Sequence, residues 1–404
     1  MKIFRIFPVL LILCLLFALF APCAMALAGP QLTAQAVLLA DLDSGAILYE
    51  VNADARRSPA SITKIMTVML TLEAVERGEI GLDDPVTAGA DCHRGMRDDS
   101  STTGIVAGET LRLEDLLYCA AVASGNDACN VLAAYVAGDI PSFVALMNRR
   151  AEGLGCSQTH FVDPHGLSYD NLTSARDLYR ITLEAMRLPG FMELCDCHAV
   201  TIPATNVFPP RELKSSNALI SDEGVYGDRY LYEGAHGVKT GYTRAAGYCL
   251  ISTAERNGLR LMAIVLGCDG PYLSNTDTRY SFVDTAKLYD WAFESFRPRE
   301  LCTRGQTLAR CRAASAWGED ELSLLSGDAL SALLPAGADP ELRLEVADDA
   351  LQAPIAAGQP LGEAVFLLDG RELGRVPLVA GRSVDRSLWA YVARTVKETI
   401  ETGV

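Results

Sequence analysis

Ser61 and Lys64 stand three residues apart in SPASITKIMTVML (residues 58–70), and most of their neighbours are apolar. An amine inside such a run is desolvated, which disfavours its charged form and lowers its pKa. On a helix, residues i and i+3 share a face. A neutral Lys64 amine would then lie beside the Ser61 hydroxyl and could take its proton, which activates a serine nucleophile without a histidine. A lysine that only runs its stem along the surface gives the same pattern, so the pair needs companions.

Two companions follow. Ser124-Gly125-Asn126 falls at a break between helical stretches, and Lys239-Thr240-Gly241 falls in a strand-like run. In these contexts Ser124 suits proton relay between Lys64 and a leaving amine, and Asn126 suits a substrate amide. Lys239 and Thr240 offer a charge and a hydroxyl to a terminal carboxylate. Gly241 lets substrate lie against the strand without a side-chain clash. Backbone N–H groups of Ser61 and Tyr242 would form an oxyanion hole. In this order the three motifs resemble the signature of penicillin-binding proteins and class A β-lactamases.

The elements that must position these residues are legible in outline. AVLLADLDSGAILYEVNAD (36–54) reads as two strands around an Asp43-Ser44-Gly45 turn. A buried helix runs from about Pro59 to near Gly78, a broken helical stretch from Leu113 to Ala137, and another helix from Pro141 to Leu154, closed by Gly155. HGVKTG, YCLISTAE and LRLMAIVLG are three late strands joined by short turns, and a helix over Phe282–Phe296 follows. Strands first and last with helices between predict an antiparallel sheet completed by both ends of the domain, with a helical lobe inserted. Beyond Pro298 short alternating segments (LRLEVAD, AVFLLDG, RELGRVPLVAG) predict a separate small β domain, 297–382. A helix is expected over Ser383–Glu401, within a terminal segment 383–404. Its apolar stripe and Trp389 and Tyr391 suit either the membrane–water boundary or packing on the β domain.

The whole chain sets further bounds. Its 404 residues suit two domains, and a net charge of −16 argues against nucleic acid or a strongly anionic membrane as partner. Lys2 and Arg5 precede an apolar run ending in Ala-Met-Ala-Leu-Ala, which reads as a signal peptide over 1–28 and so predicts export. Ten cysteines lie beyond it, singly in apolar segments, and read as small buried hydrophobes rather than a disulfide framework. CDCH at 195–198 has no second ligand cluster at a zinc-like spacing, so no metal is expected.

Longer segments extend the resemblance. SPASITKIMT, ASGNDACNVLA, FVDPHGLS and KTGYTRAAGYCLISTAERNGLRL look like the low-molecular-weight penicillin-binding proteins that act as D-alanyl-D-alanine carboxypeptidases, and APIAAGQPLGEAVFLLDGRELGRVPLV is similar to their C-terminal β domain. The resemblance implies an α/β fold of the β-lactamase/transpeptidase-like class over 29–296, with a five-stranded antiparallel sheet between helices, followed by a β-sandwich. It implies catalysis by Ser61, Lys64 and Ser124, and substrate binding by Asn126, Lys239, Thr240, Gly241, Tyr242 and Arg279. Arg279 loosely matches the family's carboxylate-binding arginine, with Arg244 as the alternative. No cofactor is implied. The implied partners are peptidoglycan stem peptides, with β-lactam antibiotics as inhibitors, at the outer face of the cell membrane or the cell wall. Endopeptidase action on cross-links and an exported β-lactamase are the competing outcomes. The latter needs a glutamate that 161–171 lacks. His236 stands where the family carries an acidic residue. Neither it nor His165 is assigned chemistry.

Overall fold

The computed structural model describes residues 29–389 without 275 and 318, together with 392, 393 and 396. The expected signal segment 1–28 lies outside the described residues, as does most of the C-terminal segment. Leu32 onward forms one compact unit.

In chain order the elements are β1 (Ala36–Asp41), β2 (Ile47–Val51), a 3-10 turn (Ala60–Thr63), α1 (Lys64–Glu76), β3 (Pro85–Thr87), β4 (Thr110–Arg112), α2 (Leu113–Ala121), α3 (Asn126–Ala137), α4 (Ile140–Gly153), α5 (Ala175–Ala185), α6 (Phe191–Cys195), β5 (Ala199–Ile202), β6 (Arg211–Lys214), β7 (Ala235–Thr243), β8 (Gly247–Arg256), β9 (Leu259–Cys268) and α7 (Tyr280–Ser295). The main sheet is antiparallel with strand order β2-β1-β9-β8-β7, so β7 is an edge strand. Successive side chains of a strand face opposite sides, and here both sides are covered. Leu38, Ile251 and Ile264 join the core around α1. Val37, Leu250 and Val265 join Phe282, Leu288 and Tyr289 of α7. This two-sided burial is why β8 and β9 read as near-continuous apolar runs.

Helix α1 is buried on nearly every side, including Ile65, Met66, Val68, Met69 and Leu70, as a helix apolar all round must be. The expected start at Pro59 is corrected: the α-helix begins at Lys64, and Ser61 lies in the 3-10 turn before it. Ala60 there has φ +50, which an α-helix does not allow. Helix α5 was not anticipated, although its signal was present: Ser174 caps it by accepting from the Asp177 amide, and Leu178, Ile181 and Ala185 form its buried stripe.

The C-terminal region carries β10 (Phe296–Cys302), β11 (Thr307–Arg312), β12 (Glu321–Ser326), β13 (Leu330–Pro335), β14 (Glu341–Val346), β15 (Pro360–Leu368) and β16 (Arg371–Ala380). They form a five-stranded sheet, β11-β12-β16-β15-β14, and a β10-β13 ribbon. The region has its own core, including Leu322, Leu324, Phe366 and Leu378. The expected helix start at Ser383 is corrected: Val384 is buried and exchanges hydrogen bonds with Ile355, so the chain stays extended there and helix begins at Leu388. Among the described residues no single helix is long and apolar enough to cross a membrane.

Candidate active site

Lys64 is fully buried. Its Nζ donates to three oxygens: Ser61 Oγ at 2.9 Å, Asn126 Oδ1 at 2.7 Å and the His165 carbonyl at 2.8 Å. As an ammonium Lys64 would fill all three donors, and as the neutral amine it keeps two and can turn its lone pair to the Ser61 hydroxyl. Burial pushes the Lys64 amine down from its ordinary value, against smaller opposing contributions from Cys129, Asp163 and Asp127. A base of lowered pKa thus sits at hydrogen-bond distance from a serine hydroxyl.

The second motif arrives at the start of α3, where Asn126 is the first helical residue after Gly125. Ser124 precedes the turn with φ +60, a conformation that costs a non-glycine residue about 1–3 kcal/mol and persists only where surroundings enforce it. Those surroundings are hydrogen bonds from Gly125 N to Cys119 O and from Asn126 N to Ser101 O, and the buried Asp127 carboxylate, which accepts from Thr102 Oγ1 and the amides of Thr103 and Ile105. Ser124 is itself buried.

The third motif lies on β7. Lys239 is buried and its pKa is pushed down to about 7, first by burial and then by the neighbouring Lys64 charge. Gly241 faces the nucleophile's turn: a Cβ there would lie 3.0 Å from the Pro59 carbonyl and 3.2 Å from Ser61 N. The glycine therefore lets β7 itself approach Ser61, in addition to sparing substrate a clash. Tyr242 stacks on its cross-strand partner Tyr248, with ring centroids 4.4 Å apart.

Arg279 sits at the edge of this group. Its guanidinium lies over the rings of Tyr248 (4.9 Å), Phe282 (5.3 Å) and Tyr226 (5.6 Å), and its Nε is buried without a hydrogen-bond partner. An aromatic cage holds the cation in place while no carboxylate among the described residues neutralises it. Arg244 is exposed on the β7–β8 turn.

Three contributors escaped the sequence reading. Ser216 Oγ lies 2.6 Å from Thr240 Oγ1, and Asn217 Nδ2 fixes that segment by donating to Gly237 O at 2.6 Å. The His165 carbonyl is the third acceptor for Lys64, and a backbone atom carries no signal in residue type. Its loop is shaped by Asp163, which accepts from the amides of His165, Gly166 and Ser168. At Gly166 (φ +93) a Cβ would fall 1.9 Å from Ala60 O, so only glycine allows the loop to pack against the turn before Ser61. The His165 ring is buried, and burial lowers its pKa to about 4 against the pull of Asp163. His236 has Asp196 at 2.9 Å, and Asp196 also accepts from Gly237 N. That pair supports the start of β7.

A cavity of about 500 Å³ opens beside Ser216 and Arg279. A larger one, about 790 Å³, runs along Val144, Asn148, Phe161 and His165 and is lined by none of Ser61, Lys64, Ser124 and Lys239. None of those four residues lines the smaller cavity either; it includes Ser216, whose Oγ lies 2.6 Å from Thr240 Oγ1.

A family model described as D-alanyl-D-alanine carboxypeptidase matches residues 23–270. A second, described as the C-terminal domain of penicillin-binding protein 5, matches residues 296–386. The D-alanyl-D-alanine carboxypeptidase DacA of Haemophilus influenzae is 32% identical over 379 residues, covering 91% of this chain and 91% of the relative. DacF of Bacillus subtilis, also named a D-alanyl-D-alanine carboxypeptidase, is 30% identical over 378 residues, covering 91% and 92%. The solved structure of penicillin binding protein 5 from Haemophilus influenzae is 31% identical, with a TM-score of 0.66, covering 89% of this chain and 99% of that one.

Proposed function

The chain belongs to the D-alanyl-D-alanine carboxypeptidase family, and we propose that its chemistry runs through an ester on Ser61 with Lys64 as the base. It is a serine-type D-Ala-D-Ala carboxypeptidase, releasing the terminal D-alanine of peptidoglycan stem pentapeptides. The observation that carries the assignment of roles is a fully buried amine 2.9 Å from a serine hydroxyl.

Neutral Lys64 takes the Ser61 proton as Oγ attacks the carbonyl between the two D-alanines. The N–H groups of Ser61 and Tyr242 receive the developing oxyanion. Ser124 passes a proton to the departing amine. Water activated by Lys64 then hydrolyses the ester. Lys239, Thr240, Ser216 and Arg279 hold the terminal carboxylate, for which charge-assisted donors are the strong choice. Asn126 orients Lys64 through its oxygen and offers its amide N–H₂ to substrate. Penicillin, as an acyl-D-Ala-D-Ala mimic, acylates the same serine.

A β-lactamase reading has less support. The 161–171 segment contains no glutamate to activate a deacylating water, and its His165 carbonyl bonds Lys64. Export to the outer face of the cell membrane or the cell wall follows from the basic–apolar start of the chain and from the substrate. Peripheral membrane contact by the C-terminal segment is supported by Trp389 and Leu388, 80% and 73% exposed.

Incubating the protein with a D-Ala-D-Ala pentapeptide, with and without an added amine acceptor, tests the reaction. Tetrapeptide and free D-alanine are expected in both. Dominant cross-linked product, or cleavage of pre-formed cross-links alone, would refute hydrolytic D-alanine release.

A further inference from the structure

We infer that Tyr248 is a positioning residue for the reaction: its ring holds the oxyanion donor on β7 and the carboxylate-binding arginine at one fixed separation. The inference rests on the roles proposed for the Tyr242 N–H and for Arg279.

In the substrate, a single residue separates the attacked carbonyl from the terminal carboxylate, and consecutive Cα atoms lie about 3.8 Å apart. The group that receives the oxyanion and the cation that receives the carboxylate must match that short span. A misplacement of about 1 Å can cost about 100-fold in rate. Yet the two come from different parts of the chain. Tyr242 lies on the edge strand β7, and Arg279 is the residue before α7.

Tyr248, on β8, touches both. It stands directly opposite Tyr242 in the β7–β8 ladder, where cross-strand side chains share a face. The two rings are stacked, with centroids 4.4 Å apart and planes at 29°. The Arg279 guanidinium lies 4.9 Å from the centroid of the same Tyr248 ring, within cation–π range.

The ring is itself fixed. Tyr248 is 2% exposed, and the backbone of Tyr272 hydrogen-bonds its hydroxyl. A Cβ on Gly270 would overlap the ring, so only glycine lets the chain lie this close. Gly270 and Tyr272 belong to the connection from β9 to α7, which ends in Arg279. One ring thus supports the guanidinium and seats the segment that carries it. The β8–β9 register shifts between Tyr248 and Leu250, an irregularity of the kind that re-aims side chains beside active sites. On the β7 side, the exposed Tyr272 ring backs Tyr242 at 5.5 Å.

The test compares Tyr248→Leu and Tyr248→Phe with the wild type on acyl-D-Ala-D-Ala and on its C-terminal amide. The amide reads the oxyanion side without the carboxylate. Tyr248→Leu should lower kcat/KM at least 30-fold on the acid and at least ten-fold on the amide, mainly in kcat. Tyr248→Phe, which keeps the ring, should stay within three-fold on both. A loss confined to the acid makes Tyr248 a wall of the arginine cage only and overturns the inference. Equal losses in Leu and Phe variants mark core packing and overturn it too. In an Arg279→Ala background, Tyr248→Leu should cost the acid at least three-fold less than in the wild type, because residues in contact are not additive; multiplicative losses overturn the inference. If Tyr248→Leu fails to fold, the same cycle is run with Tyr242→Leu at the half-buried partner, with the same three-fold shortfall expected and simple multiplication overturning the inference. An Arg279→Ala effect that is equal on acid and amide overturns the clamp reading beneath it instead.

Discussion

Lys64 Nζ lies 2.7 Å from Asn126 Oδ1, nearer than the 2.9 Å that separates it from Ser61 Oγ. The first and second motifs are therefore one hydrogen-bonded unit, and in the proposed mechanism Asn126 sets the position and basicity of the base. Replacing it by a carboxylate puts an anion against Lys64, which favours the charged amine and raises its pKa by about 1–3 units. In Asn126→Asp the acidic limb of kcat/KM against pH should move upward by at least one unit. An unmoved limb would show that Asn126 does not tune the base.

Lys239 gives a prediction that separates stability from activity. Its folded pKa is about 7 against an ordinary 10.5. Between those values the unfolded chain binds the extra proton, so stability rises with pH across that window, and at pH 7 most of the burial penalty is still present. Lys239→Met should raise Tm at pH 7 by about 3 °C or more, with the gain shrinking toward pH 10, while kcat/KM falls by about 100-fold. A lowered Tm would mean that the ammonium is held by more than the Thr240 carbonyl 3.3 Å away.

His165 governs acid stability. With a folded pKa of about 4 and an ordinary value of 6.5, it binds its proton earlier in the unfolded chain, and stability is lost as pH falls from 6.5 to 4. Denaturant midpoints measured across that range should drop for the wild type and flatten in His165→Asn. Parallel curves would remove His165 from the account.

Arg279 is caged but uncompensated, so its removal should be felt by an anion. Arg279→Ala is expected to lower kcat/KM at least 30-fold for acid-terminated peptides and under three-fold for their amides. Equal losses would shift the assignment to Arg244.

Much of this site is written in side-chain types, and that part was legible. Ser61, Lys64, Asn126, Lys239 and Thr240 converge as their motifs imply. The sheet too was readable, because β8 and β9 are buried on both faces and their sequences are apolar throughout. What escaped depends on backbone groups or distant pairing. The His165 carbonyl has no residue signature. Ser216 gains meaning only through its 2.6 Å contact with Thr240. The helix start at Lys64 rather than Pro59 depends on the positive φ of Ala60, which composition does not announce. Val384 was assigned to a helix by its apolar spacing, yet tertiary pairing with Ile355 overrides that local pattern.

The central claim is an acyl-enzyme on Ser61. Trapping the protein with penicillin and mapping the adduct by peptide mass spectrometry tests it most directly. The account predicts one adduct, on the peptide carrying Ser61, absent in Ser61→Ala and formed orders of magnitude more slowly in Lys64→Ala. An adduct on another residue, or undiminished labelling of Ser61→Ala, would contradict it.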